Sequence, residues 1–289
     1  MTATVSYIGN GGRNLRQGIP LNQAEPGAGP FNPRRPLFTE FGLTQSITDS
    51  STKGSNNYHA LQTKLDKRFS KGLSLLASYT WSKTINNSQG MRLYASLNRG
   101  EADYDRAHVV SIGHNWQLPI GPNQPFLSDI AGAARQLLAG WEFSGITQFQ
   151  SGLPFSPTLN NTASLNADAG LRPDIVPGVD PIEVPGGQSR DLWFNPAAYR
   201  VPALYTFGNA GRNSLRGPGL ASADLALHKV FSLAEKKTLT FRWEMYNAFN
   251  RTNLNLPTTG VDAGAGNAGR ITNIFIPMRQ MQFGLRFEF

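Results

Sequence analysis

A strict period of two, recurring in segments of ten residues or more, constrains this chain more than any other feature. In 72–83, Leu73, Leu75, Ala77, Tyr79 and Trp81 fall on one side, while Ser74, Ser78, Thr80 and Ser82 occupy most of the other. Successive side chains of an extended chain point to opposite faces, so such a segment makes a strand that is greasy on one face and wet on the other. The same division runs through 58–69, 106–118, 139–150, 221–231, 238–249 and 279–289, and more weakly through 3–8 and 41–49. About nine antiparallel strands are predicted, and the stronger ones reach the ~9–11 tilted residues that carry a strand across a bilayer.

Alternation also marks a soluble sandwich, whose wet face points outward. Strand length and the placement of aromatics favour a membrane. Tyr79, Trp81, Trp116, Trp141, Phe231 and Phe249 lie near strand ends on the apolar face, where the interfacial girdle of a barrel would fall. No apolar run approaches the ~20 residues of a membrane helix. The mean hydropathy of -0.32 is what alternating strands average to. The fold class expected is therefore all-β, an antiparallel transmembrane barrel with long extracellular loops.

Connection lengths point the same way. Ser70-Lys71-Gly72 and 232–237 are short turns, expected on the periplasmic side, and 84–105, 151–220 and 250–278 are long, expected outside. The stretches 9–40 and 119–137 break the pattern, being long yet assigned to the turn side. A short helix is expected from Leu127 to Leu138.

Several classes of chemistry find no support. The chain has no cysteine, which removes disulfides, zinc thiolates and a thiol nucleophile. His59, His108, His114 and His228 lack metal-ligand spacing, and no nucleophile elbow is present. No cofactor is expected, and the chain does not read as an enzyme. Lys and Arg outnumber Asp and Glu by 27 to 19. They are scattered, and no recognition helix or stacking module accompanies them, so nucleic acid is not an expected partner.

Tyr58-His59-Ala60-Leu61-Gln62, Lys67-Arg68-Phe69-Ser70-Lys71-Gly72-Leu73, Ser78-Tyr79-Thr80-Trp81-Ser82-Lys83 and Asp103-Tyr104-Asp105-Arg106-Ala107-His108 resemble the barrel of Oar-like TonB-dependent receptors. Trp193-Phe194-Asn195-Pro196, Phe207-Gly208-Asn209-Ala210-Gly211-Arg212-Asn213 and Glu244-Met245-Tyr246-Asn247-Ala248-Phe249-Asn250 continue it in the same order, so that it covers about Ser6 to Phe289. The resemblance implies a 22-stranded barrel with an N-terminal plug, and uptake of a substrate driven through the TonB complex. On that reading residues 1–289 are the C-terminal part of the barrel, a fragment whose plug and signal peptide lie outside this sequence. The TonB complex would then act only through the missing N-terminal part. A passive porin or structural adhesion protein, and a secreted soluble carbohydrate-binding β-domain, are the alternatives.

Candidate site residues follow from these faces. Lys64, Asp66, Arg68, Glu142, Arg242, Glu244 and Arg286 stand on the wet face and are expected to line a lumen. Arg212 and Arg216, in the glycine-rich run 208–219, are candidate contacts for lipopolysaccharide phosphate or an anionic substrate. Glu101, Asp103 and Asp105 form an acidic cluster that offers oxygens to calcium. Without the Asp-and-Gly pattern of a calcium loop, it reads as a rim cluster paired with Arg99 and Arg106. Phe283, Phe287 and the terminal Phe289 resemble the signal read by the barrel-assembly machinery. Outer-membrane lipid, lipopolysaccharide, that machinery and an unidentified substrate are the expected partners, and the outer membrane the expected location.

Overall fold

The computed structural model describes residues 1–87, 98–167, 170–235, 237–264 and 266–289, so part of the predicted loop 84–105 lies outside the described residues. In chain order the strands are β1 (Thr2–Pro20), β2 (Thr48–Ser70), β3 (Leu73–Asn86), β4 (Gly100–Glu101), β5 (His108–Gln117), β6 (Trp141–Gln150), β7 (Pro154–Phe155) and β8 (Asp174–Ile175). They continue as β9 (Tyr199–Arg200), β10 (Leu215–Arg216), β11 (Leu220–Ala234), β12 (Lys237–Tyr246), β13 (Asn253–Leu254), β14 (Ile274–Ile276) and β15 (Gln280–Glu288). Two short helices, α1 (Phe38–Phe41) and α2 (Gly132–Leu138), interrupt them. No helix among the described residues is long and apolar enough to cross a membrane.

One antiparallel sheet forms the wall, in the order β1-β2-β3-β5-β6-β11-β12-β15, with β4 attached to β3. Neighbours in sequence are neighbours in space, the arrangement of an up-and-down meander. The register carries the alternation across strands: Val5, Thr63, Tyr79, Val110, Phe149 and Ala221 lie side by side on one face. On the other, Lys64, Ser78, Ser111, Gln148 and Ser222 do the same. A slip of one residue in any pair would mix the faces, so the two-face pattern pins the register. Among the described residues the edge strands β1 and β15 each pair with a single neighbour, and the sheet is not closed on itself.

The expected strand at 41–49 is corrected. Only its last residues are extended, as the start of β2, and α1 ends at Phe41 with Gly42 in the left-handed region at φ 63°. The physical reason is the buried Asn22. Its Nδ2 donates to the carbonyls of Leu43 at 3.0 Å and Gln45 at 2.8 Å, and its Oδ1 accepts from the Leu37 amide. Backbone groups held this way are withdrawn from a ladder. Conversely β1 runs far beyond the predicted 3–8. Its Gly-, Asn- and Arg-rich half pairs with β2 through two irregularities, between Gly12 and Leu15 and between Leu15 and Gln17.

These two corrections move a connection from one end of the wall to the other. Pro20 pairs with Thr48, whereas Ser70 pairs with Leu73 across the tight turn, so residues 21–47 share an end with the other long loops. Asn166 Nδ2 confirms the shared end by donating to Gly27 O at 2.7 Å. Only 118–140 remains a long connection at the turn end. Its helix is shorter than the predicted Leu127–Leu138, because Leu127 adopts φ 55° and Gly132 φ 59°, both incompatible with a continuing right-handed helix. The segment expected to run as a strand to Phe249 likewise stops at Tyr246, where Asn247 turns the chain at φ 48°.

Buried apolar side chains sit mostly outside the wall. Phe155, Leu159, Leu165, Leu171, Phe194, Tyr199, Leu215 and Ile271 belong to the connections after β6 and β12, while among the described residues the buried apolar ones of the long strands are Ala60, Leu220, Ala221 and Ala223. The wall instead exposes Val5, Leu61, Trp81, Phe149, Phe283 and Leu285.

Candidate functional site

The connections 151–219 and 247–279 fold together into a crown above one end of the wall. Short ladders staple them: β7 pairs with β10, β8 with β9, β13 with β14, and Thr158 bridges Gly260. Their core is aromatic. Phe194 lies 5.7 Å from the Phe155 ring and 6.2 Å, edge-on, from Tyr199. Gly269 at φ 77° passes so close that a Cβ there would stand 3.1 Å from the Phe194 carbonyl, which makes glycine the residue for this position.

Polar groups join the two connections. Asp262 accepts from the amides of Asn160 at 2.7 Å and Asn161 at 2.8 Å. Burial alone would raise its pKa, but hydrogen bonds from those two amides and its own hold it below the usual carboxylate value. Burial pushes the Tyr199 phenol up, against a smaller opposite effect of its bond with Ser214. Asn253, fully buried, accepts from the Ala221 amide at 2.8 Å and so fastens the crown to β11.

Arg212 and Arg216, expected to meet anions from outside, are turned inward. Arg212 is buried, with Nη1 donating to Asn86 Oδ1 at 2.7 Å and Nη2 to Asp103 Oδ1 at 3.0 Å. Arg216 Nη2 donates to Glu101 at 2.5 Å and to Asp105 at 2.6 Å. Lys83 pairs with the other oxygen of Glu101 at 2.8 Å, and Asp105 Oδ1 accepts from the Thr84 amide at 2.6 Å. The acidic cluster therefore partners Arg212 and Arg216, not Arg99 and Arg106 as expected. Arg106 donates to Ser151 O at 2.7 Å and lies over the Phe275 ring. The network latches the end of β3 and residues 98–105 onto the crown, and it meets the cluster's carboxylates with bases of the chain itself.

Beneath the crown the wet face forms a groove. Gln148, Ser222, Asp224, Tyr246 and Gln280 line a cavity of about 370 Å³, covered by Ile276–Met278. The crown thus leans over the wet face, which makes that face the interior one. Lys64, Asp66, Glu142, Arg242, Glu244 and Arg286 stand on it by register, and Arg68 borders it beside the irregularity between Lys67 and Ser70. Arg242 pairs with Glu244 at 2.5 Å and Arg286 with Glu288 at 2.7 Å. On the apolar face the register carries Tyr79, Trp81, Trp116, Trp141 and Phe231, with Phe283 and Phe287. Phe249 lies in the turn beyond β12, exposed, and Phe289 follows β15 and stacks on Phe287 at 5.7 Å.

A meander that is greasy outside, polar inside and crowned by loops at one end defines an outer-membrane β-barrel protein. The chain belongs to the family described as outer membrane beta barrel domain, whose model matches residues 1–282, and its location is the outer membrane. Comparisons with curated proteins and with solved structures returned no match.

Sequence reasoning missed Asn22, Asn253 and the aromatic core around Phe194. Trp193-Phe194-Asn195-Pro196 entered through a resemblance, with no buried core assigned to it. A buried Asn leaves no periodic signal, because its partners are backbone groups far along the chain.

Proposed function

We propose that this chain forms part of an outer-membrane receptor that captures a substrate with its crown and passes it inward by TonB-dependent uptake, as the Oar-like resemblance implies. The observation that supports this reading is the crown itself. It is a packed layer with an aromatic core and a charge latch, held over a polar groove. Binding surfaces are commonly built on loops that a rigid scaffold positions. Lys64, Asp66, Arg68, Glu142, Arg242, Glu244 and Arg286 line the inner route, and the aromatic residues near the strand ends meet the lipid and lipopolysaccharide boundary. The Phe283, Phe287 and Phe289 end is the segment offered to the barrel-assembly machinery. The reading assigns no catalytic step and no cofactor.

Depletion of medium compounds by cells with and without the gene, before and after a protonophore, tests it. At least one compound is expected to disappear only when the gene is present and the inner membrane is energised. Depletion that survives the protonophore would indicate a passive pore and overturn the reading.

A further inference from the structure

The long connection at the turn end has a chemistry of its own. Residues 118–140 fold against the apolar face: Trp141 Nε1 donates to Leu137 O at 2.9 Å, and Lys229 Nζ donates to Ala139 O. Phe126, Leu127, Leu137 and Leu138 of this connection are all exposed. A cavity of about 1000 Å³ opens between α2 and the wall, lined by Arg135, Trp141, Lys229 and Phe231 among others.

Lys229 is the unusual group. It is 2% exposed, its ammonium lies 5.3 Å from the Trp141 ring centroid and 4.8 Å from that of Phe231, and no carboxylate pairs with it among the described residues. One carbonyl and two ring faces satisfy part of an ammonium that has three donors. A cation so enclosed calls for an anion. Arg135, exposed on α2, adds a second cation without a partner among the described residues. Glu142 also borders the cavity, but the register places it opposite His228 on the wet face. On the turn-side half of the apolar face the ionisable residues are Lys67, His114, Lys229 and, at its rim, Lys237, with no carboxylate among the described residues.

We infer that this cavity seats the headgroup of an anionic phospholipid from the periplasmic leaflet. The phosphate sits between Lys229 and Arg135, and the acyl chains run along the apolar face beside Phe231. The exposed Phe126, Leu127, Leu137 and Leu138 rest in the same interface, which holds aromatic and aliphatic side chains at headgroup depth. A zwitterionic lipid offers the same phosphate with an ammonium that Lys229 and Arg135 repel, so the site selects for net negative charge.

The test is lipid retention by the purified full chain, reconstituted in nanodiscs of phosphatidylethanolamine with a minority of phosphatidylglycerol and read by native mass spectrometry. Retained phosphatidylglycerol is expected to exceed its share in the disc by roughly tenfold, the scale of like-charge repulsion between the ethanolamine ammonium and the two cations near the surface. Arg135→Gln, on an exposed helix position, is expected to lower the enrichment several-fold without unfolding the protein. Lys229→Gln is expected to abolish it, and Lys229→Arg to keep it. Equal retention of both lipids, enrichment unchanged in Arg135→Gln, or displacement by excess inorganic phosphate would overturn the assignment.

Discussion

In the wall, Phe283 and Leu285 of β15 are 67% and 71% exposed, whereas Phe194 of the crown is 1% exposed. One chain thus treats the same kind of side chain in two opposite ways. Burial from water favours apolar groups by roughly 25 cal/mol per Å², and both regions obey that rule in different solvents. The crown is wetted and must make its own core, while the wall meets lipid tails and leaves its apolar side chains at the boundary. The wall holds together by backbone ladders, and the crown by aromatic packing and charge pairs.

The largest test of this contrast is Phe194→Ala. Truncating an enclosed aromatic costs about 3–5 kcal/mol, so residues 151–219 are expected to lose hydrogen-exchange protection while the wall keeps its own. Equal loss in both would mean that they fold as one unit. Next comes Phe283→Arg, which puts a charge into lipid at a cost of about 2–4 kcal/mol near the bilayer midplane. Reduced folding yield in vesicles, with an intact crown in the folded fraction, is the outcome expected. Were Phe283 to face water, the change would be silent.

Asp105→Asn ranks third. The carboxylate has no exposed side-chain surface and holds both Arg216 and the Thr84 amide. Losing one charged hydrogen bond there costs about 1.5–3 kcal/mol, and faster proteolysis within 98–107 and around 212–216 is the expected sign. The smallest effect is acid. Because the folded pKa of Asp262 lies below its unfolded value, its bonds to Asn160 and Asn161 stabilise the crown above the ordinary carboxylate range. That contribution fades as pH falls through the folded value, so loop protection is expected to drop on the acid side while the wall stays unchanged. Asp262→Asn should flatten the profile, and an unaltered profile would remove Asp262 as its source.

How far the sequence could be read differs between the two regions in the same way. The faces of β2, β3, β5, β6, β11, β12 and β15 were legible, since every second residue reports its own environment. Half of β1 was not, because Gly9, Gly11, Gly12 and Gly18 carry no side chain to alternate. The segment 41–49 misled for the opposite reason: Leu43, Gln45 and Ile47 alternate, yet the carbonyls of Leu43 and Gln45 bond to Asn22 and not to a strand. Arg212 and Arg216 stood out in the sequence as a pair, but their link to the carboxylates they bond in the fold did not. Their carboxylates lie more than 100 positions earlier in the chain.

By itself the sequence determined the kind of structure: alternating strands, their two faces, the short turns and the long connections after β3, β6 and β12, all of which depend on residues within a few places of each other. Tertiary structure alone decided that 21–47 joins the loop end, that the crown has a core, that the guanidiniums point inward, and that Lys229 is enclosed beside α2. Those outcomes depend on groups brought together from distant parts of the chain, and local periodicity carries no record of which distant group will arrive.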